Sequence, residues 1–391
     1  MKVLYFVHDL YDAAVKKRVL MLQTGGADVV LIGFYRSSVV PTHIGSAQVI
    51  PLARTYDASF LHRLRSVFYA LFFSSHYMPY TYDADVIICR NLEMLLLGRK
   101  VKRKLKTIPL VYESLDIHRL LLGTGRFSHI LRLVERLTVK KSNLLITSSP
   151  GFIKNYFKKI NKLNKPILLV ENKFFDTEMS VTTSIDTQKH QQDKDFYVIG
   201  WFGAIRCRKS LALLSVITRK LEGKVRVVIR GRPAYTEFED FLGSVEREPY
   251  IEFQGEYEFP NDLAQIYSEV DFCWAIDFFE EGGNSEWLLP NRIYEGGTFN
   301  SVPIFIKDTE IANKLERLNV GVGCNRNNLN LGLDLFFNTL EHSQYESLAK
   351  KSKQVPIGCW KVDKLQCEEL VRFLGQLGID DSDLLEGVYE L

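Results

Sequence analysis

The chain opens on an apolar run, Lys2 to Val7. Runs of the same kind return at Asp28 to Phe34, Ala47 to Pro51, Asp85 to Cys89, Ile108 to Tyr112, Asn143 to Thr147 and Ile167 to Glu171. Each is short, rich in branched and aromatic residues and closed by polar or turn-forming ones, as a β-strand is. Apolar residues run on within them instead of alternating with polar ones, so both faces of each strand are predicted to be buried, as in a parallel sheet covered on either side. Stretches with helical spacing lie between them, among them Phe127 to Lys140 and Pro150 to Lys159. Alternating strands and helices predict a Rossmann-like α/β domain over residues 1–176.

Hydrophobicity collapses over residues 177–195, where Ser, Thr, Gln, Asp and Lys dominate, and an exposed linker is predicted there. A second series follows, with strands expected at Phe196 to Phe202, Val225 to Gly231, Tyr250 to Gln254, Asp271 to Ile276, Val302 to Ile306 and Val320 to Gly323, and a helix at Ser210 to Leu221. This predicts a second Rossmann-like domain over 196–358. Residues 359–391 are read as a helix near Lys361 to Leu377 that packs back toward the first domain, and an acidic tail. Two such α/β domains are expected to face each other across a cleft between the carboxyl ends of their sheets, with the substrate bridging both.

The length of 391 residues suits two domains, and 46% hydrophobic with 25% charged residues supplies two sizeable cores while excluding disordered and collagenous classes. The net charge of +3 hides an asymmetry. Residues 1–176 carry 27 Lys and Arg against 12 Asp and Glu, a balance of +15, and residues 177–391 carry 23 against 35, or −12. Opposite signs suggest different neighbours. Six scattered cysteines without a Cys-x-x-Cys pair read as reduced thiols of the cytosol. The opening apolar run is shorter than the ~7 to 15 residues of a signal peptide's core. The uncharged run from Ser66 to Tyr82 is broken by His76 and Pro79 and falls short of the ~20 apolar residues that span a bilayer.

Some motifs are decoys. Asp83 and Asp85 imitate a metal-binding Asp-x-Asp, but they precede an apolar strand, where acids commonly sit at the solvated mouth. Neither Gly-x-Gly-x-x-Gly nor Gly-x4-Gly-Lys-Ser/Thr occurs, which disfavours dinucleotide dehydrogenases and P-loop enzymes. Two segments carry chemistry. Ile199 to Leu211 reads as a strand, a glycine turn at Gly203, the cations Arg206, Arg208 and Lys209, then a helix start. Such an arrangement lets the backbone approach a diphosphate while cations and a helix N-terminus hold it. In Asn284 to Gly297, Glu295 lies four residues past Asn291 on an expected helix, so amide and carboxylate share a face and can bind sugar hydroxyls together.

On these residues the chain resembles the group-1 nucleotide-sugar glycosyltransferases, which have the two-domain glycosyltransferase-B fold, and the likeness covers nearly the whole chain. Gly203 through Lys209 resembles the family's Gly-Arg-x4-Lys-Gly turn, with Lys209 at the diphosphate lysine, Ser210 in place of the last glycine and Arg206 supplying the arginine. Leu289 through Pro303 resembles its Leu-Pro-x-Lys-x-x-Glu-x5-Gly-x-Pro segment, so Glu295 matches the carboxylate that binds the donor ribose. The sequence departs from the family at two points. The first acid of Glu-x7-Glu falls at Trp287, with Glu286 one residue away, and the histidine common after the acceptor-side strand appears as Leu115. The resemblance implies a metal-independent hexosyltransferase that uses a UDP-sugar as co-substrate and no cofactor. Retention of configuration is expected, with inversion the alternative. Donor contacts are expected from Gly203, Arg206, Lys209, Asn291 and Glu295, and catalytic ones from Glu286 and from Glu113, Asp116 or His118.

The basic stretches Arg99 to Lys106 and Lys154 to Lys165 and the aromatic stretch Phe60 to Met78 suggest contact with an anionic leaflet. The expected setting is therefore the cytoplasm, peripheral on the inner face of the plasma membrane. There the enzyme would extend a lipid-linked glycan in capsule, exopolysaccharide or O-antigen assembly, without nucleic-acid contact. A nucleotide-sugar epimerase of the same fold and a non-catalytic glycan-binding relative are the alternatives.

Overall fold

The computed structural model describes residues 1–37, 39–55, 76–175, 195–377 and 387–391. The predicted linker lies outside the described residues except for Asp195, as does the Phe60 to Met78 stretch up to residue 75. Two compact units are formed, Met1–Glu171 with Val362–Leu391, and Asn172–Lys361.

The first unit is built on strands β1 (Lys2–Val7), β2 (Asp28–Tyr35), β3 (His43–Ile44), β4 (Ala47–Arg54), β5 (Val86–Arg90), β6 (Leu110–Ser114), β7 (Leu144–Thr147) and β8 (Ile167–Leu169). With the late strand Val388–Glu390 they form a nine-stranded sheet. Six of the strands follow the order β7-β6-β5-β1-β2-β4, all parallel, so the chain reverses direction across the sheet between β1 and β5. The strands are continuous apolar runs because both faces are covered: Val3 through Val7 are each 0% exposed. The acidic tail ends in a strand that pairs in parallel with β8, a role its composition concealed. The helix Lys364–Gln376 packs on the helix Ala13–Thr24. Asp83 and Asp85 bind the ammonium and the amide nitrogen of Lys2, each at 2.7 Å, which is the structural reading of that acidic pair.

The second unit has strands β9 (Tyr197–Ile205), β10 (Val225–Pro233), β11 (Ile251–Phe253), β12 (Phe272–Trp274), β13 (Val302–Ile306) and β14 (Val322–Cys324). All are parallel in the order β11-β10-β9-β12-β13-β14, which numbered along this unit is 3-2-1-4-5-6. Period-two alternation divides the core between the two faces. Ile199, Trp201, Trp274 and Ile304 lie on one, and Val198, Phe202, Cys273 and Phe305 on the other, all nearly without exposure.

Pro303 occupies an inner strand despite having no N–H. Its neighbours Val302 and Ile304 bond β12, through Val302 N to Asp271 O and Ala275 N to Ile304 O. The ring therefore turns toward β14, whose pairing begins only at Ile304.

β9 does not stop at Phe202 before a turn at Gly203, as the sequence suggested, but continues to Ile205, with Gly203 at φ 103°. Its partner in register, Gly231, has φ 132°, and a Cβ there would stand 1.9 Å from Gly203 O. Two glycines are required for the strands to close at this end. The helix Asn291–Thr298 lies against β12 and Trp360 in a similarly close manner, since a Cβ on Gly297 would come within 2.3 Å of the indole. Gly297→Ala is therefore expected to lower stability by about 1 to 3 kcal/mol, the usual cost of overpacking, because the buried Trp360 ring has little room to yield. Urea unfolding measures it, and a variant as stable as wild type would contradict the packing described.

Candidate active site

In sheets of this order, ligands bind beyond the carboxyl ends of the strands where the order turns back, because the loops there diverge. In the second unit this point lies between β9 and β12, and the basic segment leaves β9 there. Cys207 caps the helix Arg208–Lys220, its sulfur accepting from Ser210 N at 3.3 Å, so the first turn of a thirteen-residue helix opens toward this edge. Ser210 itself is buried.

The loop after β12 meets these cations with acids and aromatic rings. Asp277, its side chain 5% exposed, fixes the loop by accepting from Phe279 N at 2.7 Å and Ser285 Oγ at 3.2 Å, and it pairs with Arg206 at 3.7 Å. The Arg206 guanidinium lies 4.4 Å from the centre of the Phe279 ring, and Lys209 Nζ 4.5 Å from that of Phe278. Glu281 is the meeting point. Its carboxylate accepts from Lys209 Nζ at 2.7 and 2.9 Å and from Arg326 Nη1 at 2.8 Å. The Lys209 hydrogen bond, with help from Arg326, outweighs partial burial and holds the Glu281 carboxyl below its usual value. Arg326 also pairs with Glu286 at 3.1 Å, and Glu286 accepts from Gly282 N at the same distance. Lys209 and Glu286 are thus brought into one charged network, while Arg206 is held separately by Asp277 of the same loop. Arg326 and Glu281 complete it, and the sequence did not single out either.

Glu295 is 5% exposed, with Tyr267 Oη 3.4 Å away. Tyr257 stands beside it: burial, reinforced by the Glu295 charge, pushes the Tyr257 hydroxyl's pKa up. The open side of Gly203 looks toward the same Tyr257 hydroxyl at 4.0 Å, the nearest atom to a Cβ there. Gly203 and Glu295 therefore approach one tyrosine from two elements. Asn291 and Glu295 stand one turn apart as expected, but their surroundings differ. Both are on the helix Asn291–Thr298, but Asn291, in its first turn, is exposed and accepts from Asn172 Nδ2, whereas Glu295 is pressed into the core by Gly296 and Gly297 behind it. Trp287, where the family has an acid, is half-buried.

In the first unit the acceptor-side candidates separate. Glu113 is 0% exposed at the end of β6, and its two oxygens are taken by Arg18 Nε at 2.7 Å and Arg90 Nε at 2.9 Å, with the Tyr5 hydroxyl also donating. Burial alone would raise its pKa, but Arg90 and Arg18 prevail and draw it down to about 2. A carboxylate so occupied is a poor proton acceptor, and the expectation that Glu113 acts as a base gives way to an ionic tie between β5, β6 and the first helix. Asp116 and His118 are exposed just beyond β6, where His118 caps a short helix by accepting at Nδ1 from Leu120 N at 3.3 Å. At the turning point of this sheet, His8 Nε2 meets Asp12 Oδ2 at 3.3 Å. The sequence marked neither.

Comparison with known proteins decides the family. No family model matches the chain. It is 42% identical over 379 residues, 96% of this chain and 94% of the relative, to the succinoglycan biosynthesis protein ExoL of Rhizobium meliloti (strain 1021). The chain belongs to the ExoL family of glycosyltransferases. Solved structures show that its fold is glycosyltransferase-B. Sucrose-phosphate synthase from Thermosynechococcus elongatus superposes with a TM-score of 0.70 at 12% identity over 96% of this chain and 99% of that one. HepE of Anabaena, in complex with UDP and glucose, gives 0.65 at 14% identity over 95% and 98%. A trehalose-6-phosphate protein from E. coli bound with UDP-2-fluoro glucose gives 0.67 at 10% over 96% and 99%.

For this member of the ExoL family, the buried tie at Glu113 makes a prediction of its own. Glu113→Gln leaves Arg18 and Arg90 buried without their counter-charge and is expected to cost about 3 to 5 kcal/mol of stability. The group's folded pKa is depressed, so its contribution is complete above the unfolded value near 4.5 and fades as pH falls toward about 2. Urea unfolding of wild type and variant should differ most at neutral pH and converge in acid. A variant of full stability that loses turnover alone would return Glu113 to the role of base.

Proposed function

We propose that this glycosyltransferase moves a sugar from a UDP-sugar to a growing, lipid-linked glycan in surface polysaccharide assembly, at the inner face of the plasma membrane. The observation that carries the donor side is the convergence of Lys209 and Arg326 on the single carboxylate of Glu281, at the turning point of the second sheet. Two cations that close on one anion of the chain are spaced to close on a phosphate. On this reading the donor's diphosphate displaces Glu281. Lys209 and Arg326, with Arg206 beside them, neutralise the negative charge that grows on the leaving group, a metal-independent route to the transition state. The backbone at Gly203 and the opening turn of the helix Arg208–Lys220 add N–H dipoles of the right sign.

Glu295 holds the donor ribose, steadied by Tyr267 and Tyr257. Glu286, tied to Arg326, faces the transferred sugar, and Asn291 lies at the edge of the donor site. Asp116 or His118 receives the acceptor hydroxyl, and the configuration is retained. Support for the glycan comes from the name of the Rhizobium relative, which concerns succinoglycan biosynthesis, and support for UDP from the ligand in HepE.

Lys209→Ala should weaken UDP binding by about 1.5 to 3 kcal/mol, the range for a hydrogen bond to a charged group. Glu281→Gln should do the opposite. Freeing the two cations from a partly exposed pair worth about 0.2 to 1 kcal/mol should tighten UDP binding severalfold at most. Calorimetric titration with UDP measures both, and a Glu281→Gln variant that binds UDP more weakly would show that this carboxylate does not occupy the phosphate position.

At the ribose, Glu295→Gln should raise the Michaelis constant for the donor more than it lowers turnover. A 2′-deoxyribose donor should impair wild type while adding little to the variant, since both changes remove one contact. Additive losses would move the ribose elsewhere. Incubation with donor alone tests the epimerase alternative, which requires a new sugar epimer without acceptor.

A further inference from the structure

The helix Arg126–Val139 of the first unit shows its apolar side to solvent. Phe127, Ile130, Leu133 and Leu137 are 48, 58, 50 and 52% exposed, and their spacing puts them on one stripe. Its buried side carries the polar Ser128, Glu135 and Thr138 beside the apolar Val139. Glu135 is 0% exposed and accepts from Tyr112 Oη at 2.7 Å, from Tyr156 Oη and from Asn161 Nδ2 at 2.6 Å. A helix that only covers a sheet buries its large apolar side chains and keeps its acids outside. Four large apolar side chains on one stripe mark a surface that meets an apolar phase.

Charge identifies that phase. Between Arg119 and Lys165 the chain carries eleven Lys and Arg and a single acid, which is the buried Glu135. Arg126 opens the helix, and Lys140 and Lys141 follow it, all three exposed. The neighbouring helix Leu92–Lys104, packed against this one, brings Arg103 and Lys104 to the surface, with Lys106 just beyond. A shallow cavity of about 510 Å³ in the same unit is lined by Pro150, Ile153, Leu169 and Val388, with Lys154, Lys158 and Lys159 outnumbering the one acid there, Glu390. Exposed apolar side chains framed by cations, with no exposed acid in that stretch, complement an acyl layer under anionic headgroups.

We infer that the Arg126–Val139 helix docks the enzyme on an anionic lipid leaflet, with Phe127, Ile130, Leu133 and Leu137 entering the headgroup boundary and Arg126, Lys140 and Lys141 held by lipid phosphates. This deepens the lipid-linked acceptor reading above and rests on it. It adds to the basic stretches Arg99 to Lys106 and Lys154 to Lys165 favoured by sequence a helix that reads in sequence as a cover for the sheet. Glycan acceptors anchored in the leaflet would then be met at a fixed orientation.

Co-sedimentation of the full chain with vesicles of phosphatidylcholine alone, and of phosphatidylcholine mixed with phosphatidylglycerol, tests the inference. Wild type should partition to the anionic vesicles at least about tenfold more strongly and be released by high salt, as counter-charges screen the contact. The double variant Ile130→Asp, Leu133→Asp, whose side chains are exposed and need not disturb folding, should lose that partitioning by about tenfold or more. A control carrying Leu331→Asp and Leu335→Asp, exposed leucines of the acidic second unit, should bind as wild type does. Undiminished binding by the first variant, an equal loss in the control, or equal partition to neutral and anionic vesicles would each overturn the inference. So would a wild-type dimer in sedimentation velocity that the first variant converts to monomer, since the stripe would then face a second copy. Calorimetry with UDP on the same proteins separates the two claims: wild type that binds vesicles but no UDP defeats the donor reading and leaves the docking helix standing.

Discussion

A strand buried on both faces has room for charge only at its ends. This constraint shapes both units. Inner strands such as β1, β5 and β13 carry no charge except at their ends because helices cover each side, whereas β10 alternates and turns Arg226 to solvent. Most of the buried polar chemistry therefore gathers on the edge where parallel strands finish together. In the second unit that edge receives Arg206 and Lys209 from the end of β9, the acids of the loop after β12, and Arg326 from the end of β14. In the first it receives Arg90 and Glu113 side by side on β5 and β6. The two edges meet the cost of charge differently. Glu113 is shielded from water and consumed by its arginines, whereas Lys209 and Glu281 stay partly wet, their side chains 57 and 34% exposed. A pair that keeps contact with water can be exchanged for a ligand at small cost, and a sealed one cannot.

The same constraint made the fold legible. Continuous apolar runs bounded by polar residues located the strands because burial on both faces leaves no other pattern, and β1 and β13 fall on the residues expected. The edges of the sheet were less legible. Val388–Glu390 is short, acidic and half exposed, so nothing in its composition separates a strand from a tail. The basic segment after β9 was visible because glycine, cations and a helix start lie together in sequence. Arg326 was not, because it reaches Glu281 only through the folding of distant strands onto one edge. Asn291 shows what periodicity leaves open: spacing puts it one turn before Glu295, but burial there is set by neighbours distant in sequence, and its side chain accepts from Asn172. Glu113 shows the limit of reading a residue type as a role. Its position at a strand end suits a base and a buried counter-ion equally, and only Arg18 and Arg90 distinguish them.

An apolar stripe left exposed on a helix that buries an acid is informative because it is costly twice. The Arg126–Val139 helix gives up the burial of Phe127, Ile130, Leu133 and Leu137 and also carries Glu135 into the interior, where burial raises the carboxyl's pKa despite three hydrogen-bonding partners. Neither cost is needed to cover a sheet. Both are offset if the exposed side meets lipid, since an acid left on that side would be repelled by anionic headgroups. Hiding the sole acid of the stretch and showing its apolar side chains are therefore one device seen from two sides. The positive excess of residues 1–176 then has a local meaning: it frames an apolar stripe in the first unit, whereas Arg206, Lys209 and Arg326 at the sheet edge of the second unit are held by that unit's own acids.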